Sequence, residues 1–353
     1  MKKLILHIGS EKTGTTALQE ILTKNEDLLR AVGVLYPSSG RIHNGHFGLV
    51  DEINATVTGQ HFEFLHQSSW CGPGVWEELQ EEISSFTGET VIISSEHLSS
   101  RLNVTGIELM VSKLCEIADW EFNVLFYARR QDQLLQSAYS ETLRNGGTQN
   151  VDQLVESALK HCRYFDYGLI LEDWASVLSV GSVMLRPFDN ELQRVGLTSD
   201  FFQSIIGFVP DGMVYPTVQK NQSLHPITCI VAQELNQLLE TKSHNCKQRT
   251  IRVLDELIKT DKAYSCQDDC SLLSHRARIE ILSEYESSNA KLFDKYSAPR
   301  YFSDPMPAVD AIDASSTMDV NTIVLELLCK LLQFHTEPVV DSSACKESDE
   351  INA

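Results

Sequence analysis

Four short runs of aliphatic residues punctuate the first half of the chain: Leu4 to Ile8, Thr90 to Ser94, Phe122 to Ala128 and Ser182 to Arg186. Runs of this length without polar alternation fit strands covered on both faces, as in a parallel sheet. The segments between them carry a helical period. Thr16 to Ala31 places Leu18, Ile21, Leu22, Leu28 and Leu29 at helical spacing, with Gly33 just past the end as a C-cap. Gln131 to Leu143 follows the third run directly and sets Leu134, Leu135, Ala138, Tyr139 and Leu143 on one face. Alternating strands and helices predict an α/β, doubly wound parallel sheet, whose ligands bind outside the carboxyl ends of the strands.

Elsewhere the pattern changes. Between Pro37 and Pro73 the chain is rich in Gly, Ser, His and Asn with weak periodicity, which predicts a long loop over the sheet edge. After Pro226 it is nearly all helical, in Ile227 to Leu239, Ile251 to Ile258 and Ala277 to Phe293, which predicts a helical C-terminal lobe over about 226–303. The α/β domain is then 1–303. An extension over 304–336 holds one amphipathic stretch, Val320 to Phe334, and the acidic tail 337–353 reads as disordered.

Composition narrows the function classes. The 353 residues carry a net charge of −20 and 42% apolar residues, so a sizeable core is available, while a basic footprint for nucleic acid or an anionic membrane is missing. The apolar run after Met1-Lys2-Lys3 is interrupted at His7 and Glu11, too short for a signal sequence. No apolar stretch reaches the roughly 18–20 residues that span a bilayer. A soluble, cytoplasmic protein is expected. The nine cysteines are scattered; Cys266 and Cys270 lack a second pair at zinc-site spacing, and reduced, buried thiols are expected.

Gly9-Ser10-Glu11-Lys12-Thr13-Gly14-Thr15-Thr16 stands between the first strand and the first helix. Backbone N–H groups and the positive end of the helix dipole converge at such a turn, and glycine lets the backbone approach an anion closely. This is a P-loop-like phosphate-binding turn. Gly9 and Gly14 have the spacing of the nucleoside triphosphate loop, but Thr15 replaces the lysine after the second glycine and Lys12 lies inside the turn. That disfavours ATP or GTP and points to a shorter anhydride.

Lys12 to Gln19, read as Lys-x-Gly-Thr-Thr-x-Leu-Gln, resembles the 5′-phosphosulfate loop of sulfotransferases that use 3′-phosphoadenosine 5′-phosphosulfate. The second cofactor motif of that family, an arginine at a strand end with a serine further along the following helix, is matched by Arg129 and Ser137. Ser94-Ser95-Glu96, Arg186-Pro187-Phe188-Asp189 and Asn221-Gln222-Ser223-Leu224 look like segments of the bacterial carbohydrate-type members, so the likeness covers about 1–303. The glycine-rich third loop of phenol and steroid sulfotransferases has no clear counterpart; Lys220, Asn221 and Ser223 are the substitutes on offer.

The resemblance implies a sulfuryl transfer in which Lys12 meets charge on the bridging oxygen. Thr13, Gly14, Thr15 and Thr16 would cradle the 5′-phosphate, Arg129 and Ser137 would hold the 3′-phosphate, and no metal would be needed. The acceptor hydroxyl needs a base. Glu96 with His97, after the strand Thr90 to Ser94, is one place for it; His43 and His46, beyond the first helix, are the other. Glu96 is narrowly preferred. A carboxylate capping a helix and solvated loop histidines are the plain alternatives, and His61 and His66 are weaker candidates.

Phe47, Phe62, Phe64, Trp70 and Trp76 offer surfaces for sugar stacking or simply core. A hydroxyl-bearing carbohydrate or glycolipid is the expected acceptor, with no nucleic acid partner. The competing functions are a P-loop phosphotransferase using ATP or GTP with magnesium, and a non-catalytic binding module on the same fold.

Overall fold

Five parallel strands form one sheet in the order β2-β3-β1-β4-β5. They are β1 (Lys2–His7), β2 (Val34–Leu35), β3 (Thr90–Ser94), β4 (Trp120–Arg129) and β5 (Val183–Phe188). This is a computed structural model, and it describes residues 1–62, 74–160, 162–216, 223–260 and 271–306. Leu4, Ile5 and Leu6 in β1 and Val91, Ile92 and Ile93 in β3 are all fully buried, as strands covered on both faces must be. The edge strand β5 alternates buried and half-buried positions, and β2 at the other edge is only two residues long.

In chain order the helices are α1 (Thr15–Lys24), α2 (Glu26–Ala31), α3 (Phe47–Thr58), α4 (Val75–Ser84), α5 (His97–Ser100), α6 (Val104–Ile117), α7 (Gln131–Arg144), α8 (Val151–Leu159), α9 (Tyr167–Val177), α10 (Asn190–Val195), α11 (Leu197–Ile206), α12 (Pro226–Leu238), α13 (His244–Thr260) and α14 (His275–Lys295). The path from β1 to β2 runs one way past β3, and the path from β3 to β4 runs back past β1. The carboxyl end of β1 is therefore a topological switch point, where open α/β sheets bind ligands. None of the described helices is long and apolar enough to cross a membrane.

The doubly wound α/β class is as expected, and the departures have local causes. The helix predicted over Thr16 to Ala31 is two helices. Asn25 parts them: its side-chain amide donates to the carbonyls of Ile21 at 2.7 Å and Val214 at 2.8 Å and accepts from the Val214 N–H at 2.7 Å. A short polar side chain that bonds nearby backbone competes with helix continuation. Part of the loop predicted over Pro37 to Pro73 is the helix α3, which buries Leu49, Val50 and Ile53 and ends at Gly59 with φ of +75°. Its glycine, asparagine and threonines are weak helix formers, and packing overrides them. Residues 63–73, with Phe64, His66 and Trp70, lie outside the described residues, as do Cys266, Cys270 and the extension from 307 onward.

Two compact units emerge. The sheet unit holds residues 1–141, 149–223 and 274–306, and the second holds 142–148 and 224–273. The predicted helical lobe over 226–303 is thus divided. Helix α14 belongs with the sheet: Asn289 and Gln131 exchange amide hydrogen bonds at 2.9 and 3.1 Å, and Arg278 pairs with the buried Asp132 at 2.9 Å. In the second unit, α12 and α13 are tied by Asp255, which accepts from the His225 N–H and the Thr228 hydroxyl, both at 2.8 Å. Among the described cysteines, Cys229 is buried, but Cys115 and Cys246 are exposed, contrary to the expectation of buried thiols.

Asp189 ends β5 and caps α10. It is fully buried and accepts hydrogen bonds from the N–H of Leu192 at 3.0 Å, the N–H and hydroxyl of Ser303 at 2.8 Å, and the Arg300 guanidinium. Those donors hold its carboxyl well below the usual carboxylate range against the opposing effect of burial. Asp189→Ala should destabilise the protein by about 3 kcal/mol, the low end for a buried pair because Arg300 is partly exposed and keeps Glu191. Denaturant unfolding of the variant against the wild type measures this.

Candidate functional site

The loop from Ile8 to Gly14 leaves the carboxyl end of β1 and turns into α1. The first intrahelical bond runs from the Leu18 N–H to the Gly14 carbonyl at 3.1 Å, which leaves the N–H groups of Thr15, Thr16 and Ala17 without intrahelical acceptors. Gly14 has φ of +78°, a conformation that favours glycine, and a Cβ there would lie 2.8 Å from Leu197 Cδ2 and displace that methyl. Lys12 also takes a left-handed conformation, with φ of +65°. The Thr13 hydroxyl closes the turn by donating to the Ser10 carbonyl at 2.7 Å. Thr16 is exposed, whereas Thr15 is buried and its hydroxyl has no hydrogen-bond partner.

Arg129, at the end of β4, reaches this loop and donates from its guanidinium to the Lys12 carbonyl at 2.8 Å. Its plane lies over the Phe188 ring, 5.7 Å from the centroid, and its own carbonyl accepts from the Tyr167 hydroxyl. Its Nε is buried without a partner. Burial lowers the guanidinium below its ordinary value, while Tyr167, Asp304 and Asp132 oppose that shift. Ser137, on α7, is buried with its hydroxyl 3.4 Å from that of Ser223. Lys220 and Asn221 lie outside the described residues. The Lys12 ammonium pairs with Glu141 at 3.3 Å, and the Tyr164 hydroxyl donates to Glu11 at 3.2 Å.

Glu96 and His97 follow β3, the strand next to β1. Glu96 precedes α5, but its side chain makes no cap; the carboxylate instead accepts from the Gln19 amide at 3.2 Å. Burial raises this carboxyl above its ordinary value and Glu11 adds to the rise, while a hydrogen bond from its own backbone N–H, then Gln19 and Lys12, oppose it. His97 is half-buried against the rings of Phe47, at 4.7 Å, and Phe62, at 5.7 Å, and burial pushes it down to about 4. Trp76 is core.

At the second place for a base the two histidines differ. His43 is exposed at the tip of a turn closed by the Ile42–Gly45 bridge. His46 is fully buried: Nδ1 accepts from the Ser94 N–H at 3.1 Å, so the proton sits on Nε2, which donates to the Pro37 carbonyl at 3.0 Å. With both ring nitrogens committed to backbone, His46 is a brace between segments and not a base. His61 pairs with the buried Asp51 at 2.7 Å.

Gln19, Glu141 and Glu11 received no role from the sequence. Thr15, Leu18, Gln19 and Leu22 repeat at i, i+3, i+4 and i+7, so a glutamine on the apolar face of α1 was a visible anomaly. Glu141 lies one helical turn beyond Ser137 on α7.

No family model matches the chain, and no curated protein matches it. One similar solved structure is a sulfotransferase from Alicyclobacillus acidocaldarius, 14% identical, covering 68% of this chain and 96% of that chain at a TM-score of 0.40. A likeness of that size transfers no activity.

Two buried histidines near this site set a pH limit on the fold. His7 lies between the Tyr127 and Phe201 rings with Nδ1 2.8 Å from the Ser94 hydroxyl, and burial pushes it down to about 3. Burial, with Arg41 beside it, pushes His46 down to about 4. Both, like His97, take up protons more readily once unfolded, where the ordinary value near 6.5 applies. Stability should be full above pH ~6.5. It should decline as pH falls towards about 4 for His46 and about 3 for His7, each histidine contributing a slope of roughly 1.4 kcal/mol per pH unit. Unfolding titrations from neutrality down to about pH 4.5 test this, and His46→Gln should remove its share of the slope.

Proposed function

We propose that this chain is a sulfotransferase that moves a sulfuryl group from 3′-phosphoadenosine 5′-phosphosulfate to a hydroxyl of a carbohydrate or glycolipid. The observation that carries the reading is the junction of Lys12 and Arg129. The two residues named by separate motifs meet through an N–H···O=C bond of 2.8 Å, and two buried polar atoms beside it, Thr15 Oγ1 and Arg129 Nε, have no protein partner. Buried polar atoms without partners cost free energy unless something else satisfies them. An anion at the start of α1 would do so for the Thr15 hydroxyl, and a second anionic group beside the end of β4 for Arg129.

In this reading the N–H groups from Thr13 to Thr16, with the hydroxyls of Thr15 and Thr16, hold the 5′-phosphate at the helix start, where Gly14 lets the backbone come close. Arg129 and Ser137 bind the 3′-phosphate. The cofactor supplies an activated sulfuryl group whose leaving group is a phosphate. Lys12 stabilises charge that builds on the bridging oxygen, after giving up Glu141, a half-exposed ion pair of the kind worth ~0–1 kcal/mol. Glu96 takes the proton of the acceptor hydroxyl, for which a desolvated carboxylate raised towards neutrality is suited. His97, Phe47 and Phe62 form the wall beside it against which an acceptor ring packs.

Calorimetric titration with 3′-phosphoadenosine 5′-phosphate should show binding that Arg129→Ala weakens at least about tenfold, the loss of one charged hydrogen-bond partner. Binding of ATP with magnesium alone would overturn the reading in favour of a phosphotransferase. Lys12→Ala should lower sulfate transfer to a panel of glycan and glycolipid acceptors by roughly 100–1000-fold. Cofactor binding with no transfer to any acceptor would favour the non-catalytic module.

A further inference from the structure

We propose that Gln19 is a positioning residue that holds the Glu96 carboxylate in the orientation from which it takes the acceptor proton. This rests on the reading of Glu96 as the base. Gln19 is 2% exposed, on the face of α1 that otherwise buries Leu18 and Leu22. An amide placed there is costly unless its hydrogen bonds are made. Its Nε2 donates to Glu96 Oε2 at 3.2 Å and to the Ser94 hydroxyl oxygen at 3.3 Å, with the Ser94 carbonyl at 3.5 Å. The Ser94 carbonyl and the Glu96 carboxylate can only accept, so the end of the amide turned towards them is its NH2.

Ser94 is itself immobilised. Its N–H donates to His46 Nδ1, its carbonyl accepts from the His46 N–H at 2.8 Å, and its hydroxyl meets His7 Nδ1 at 2.8 Å. The serine fixes one side of the Gln19 amide, and the amide then presents an N–H to Glu96. Space for it is kept by Gly45: a Cβ at that position would lie 2.8 Å from Gln19 Nε2. Gln19 is also one helical turn beyond Thr15, a rise of about 6 Å. One rigid turn of α1 therefore sets the spacing between the anion-binding end of the helix and the carboxylate.

The charged and titratable groups that act on Glu96 are Glu11 and Lys12 from the loop and, ahead of α3, Tyr36. The test must separate Gln19 from these. In protein labelled with 13C at the glutamate carboxyls, the Glu96 resonance is the one that disappears in Glu96→Gln. Gln19→Leu, of similar volume and lacking the donor, should raise the Glu96 titration midpoint by about one pH unit, the size expected for losing one hydrogen bond to a charged group. Gln19→Glu, which keeps the shape and adds a like charge, should raise it further. In the wild type the Gln19 side-chain amide resonances should titrate with the Glu96 midpoint and stop doing so in Glu96→Gln, a readout that needs no change at position 19. The acid limb of kcat/KM for sulfate transfer should move with the midpoint. An unmoved midpoint in both variants, or wild-type amide resonances blind to Glu96, overturns the proposal. A moved midpoint with an unmoved rate profile supports the contact and overturns the base reading alone.

Discussion

The hydrogen bond from the Arg129 guanidinium to the Lys12 carbonyl is the constraint on which the loop geometry depends. A left-handed conformation at a residue other than glycine costs on the order of 1–2 kcal/mol, and Lys12 adopts one. A charge-assisted bond to its carbonyl offsets a cost of that size. Arg129 can supply it because β4 lies directly beside β1, and because the Tyr167 hydroxyl and the Phe188 ring hold the arginine from its other sides. Phe188 is held in turn by the residue after it, since Asp189 ties the end of β5 to Ser303 and Arg300. The loop is therefore rigid for reasons that lie in three strands and a distant segment.

Rigidity also sorts the candidate groups by role. Around β3, Ser94 bonds His46, His7 and Gln19, and the two histidines are kept neutral by burial. A neutral imidazole with both nitrogens engaged cannot exchange protons with a bound molecule, which makes His46 a structural element. Glu96 differs because it is half-buried, with one carboxylate oxygen on Gln19 and its ordinary ionisation resisted by its surroundings. Titratable groups at one sheet edge thus differ in solvent access, His7 and His46 enclosed and Glu96 partly open.

Much of this was legible in the sequence where a regular period or a fixed local geometry carried it. The strand Thr90 to Ser94 and the helix at Gln131 stood out because apolar residues repeat strictly, and the loop between β1 and α1 because glycines and threonines stand between an apolar run and a helical period. Helix α3 was hidden, since Leu49, Val50 and Ile53 are embedded among poor helix formers and acquire their order from packing. The break at Asn25 was hidden too, because its partner Val214 is far along the chain. Ion pairs such as Lys12 with Glu141 join positions whose proximity only the fold creates. The buried role of His46 was invisible for the same reason: a histidine in a glycine-rich stretch reads as solvated until its neighbours are known.

Gly45 has a consequence beyond local packing. Its missing side chain leaves the volume into which the Gln19 amide projects, so the two positions share one space although they lie on different segments. A methyl group added at 45 would meet the Phe47 ring as closely as the Gln19 amide, both at 2.8 Å, so it is tolerable only if both give way. Mutational drift at 45 is therefore limited by the occupants of both 19 and 47. That makes the three sites an epistatic unit, within which the effect of a change at one cannot be read without knowing the occupants of the others.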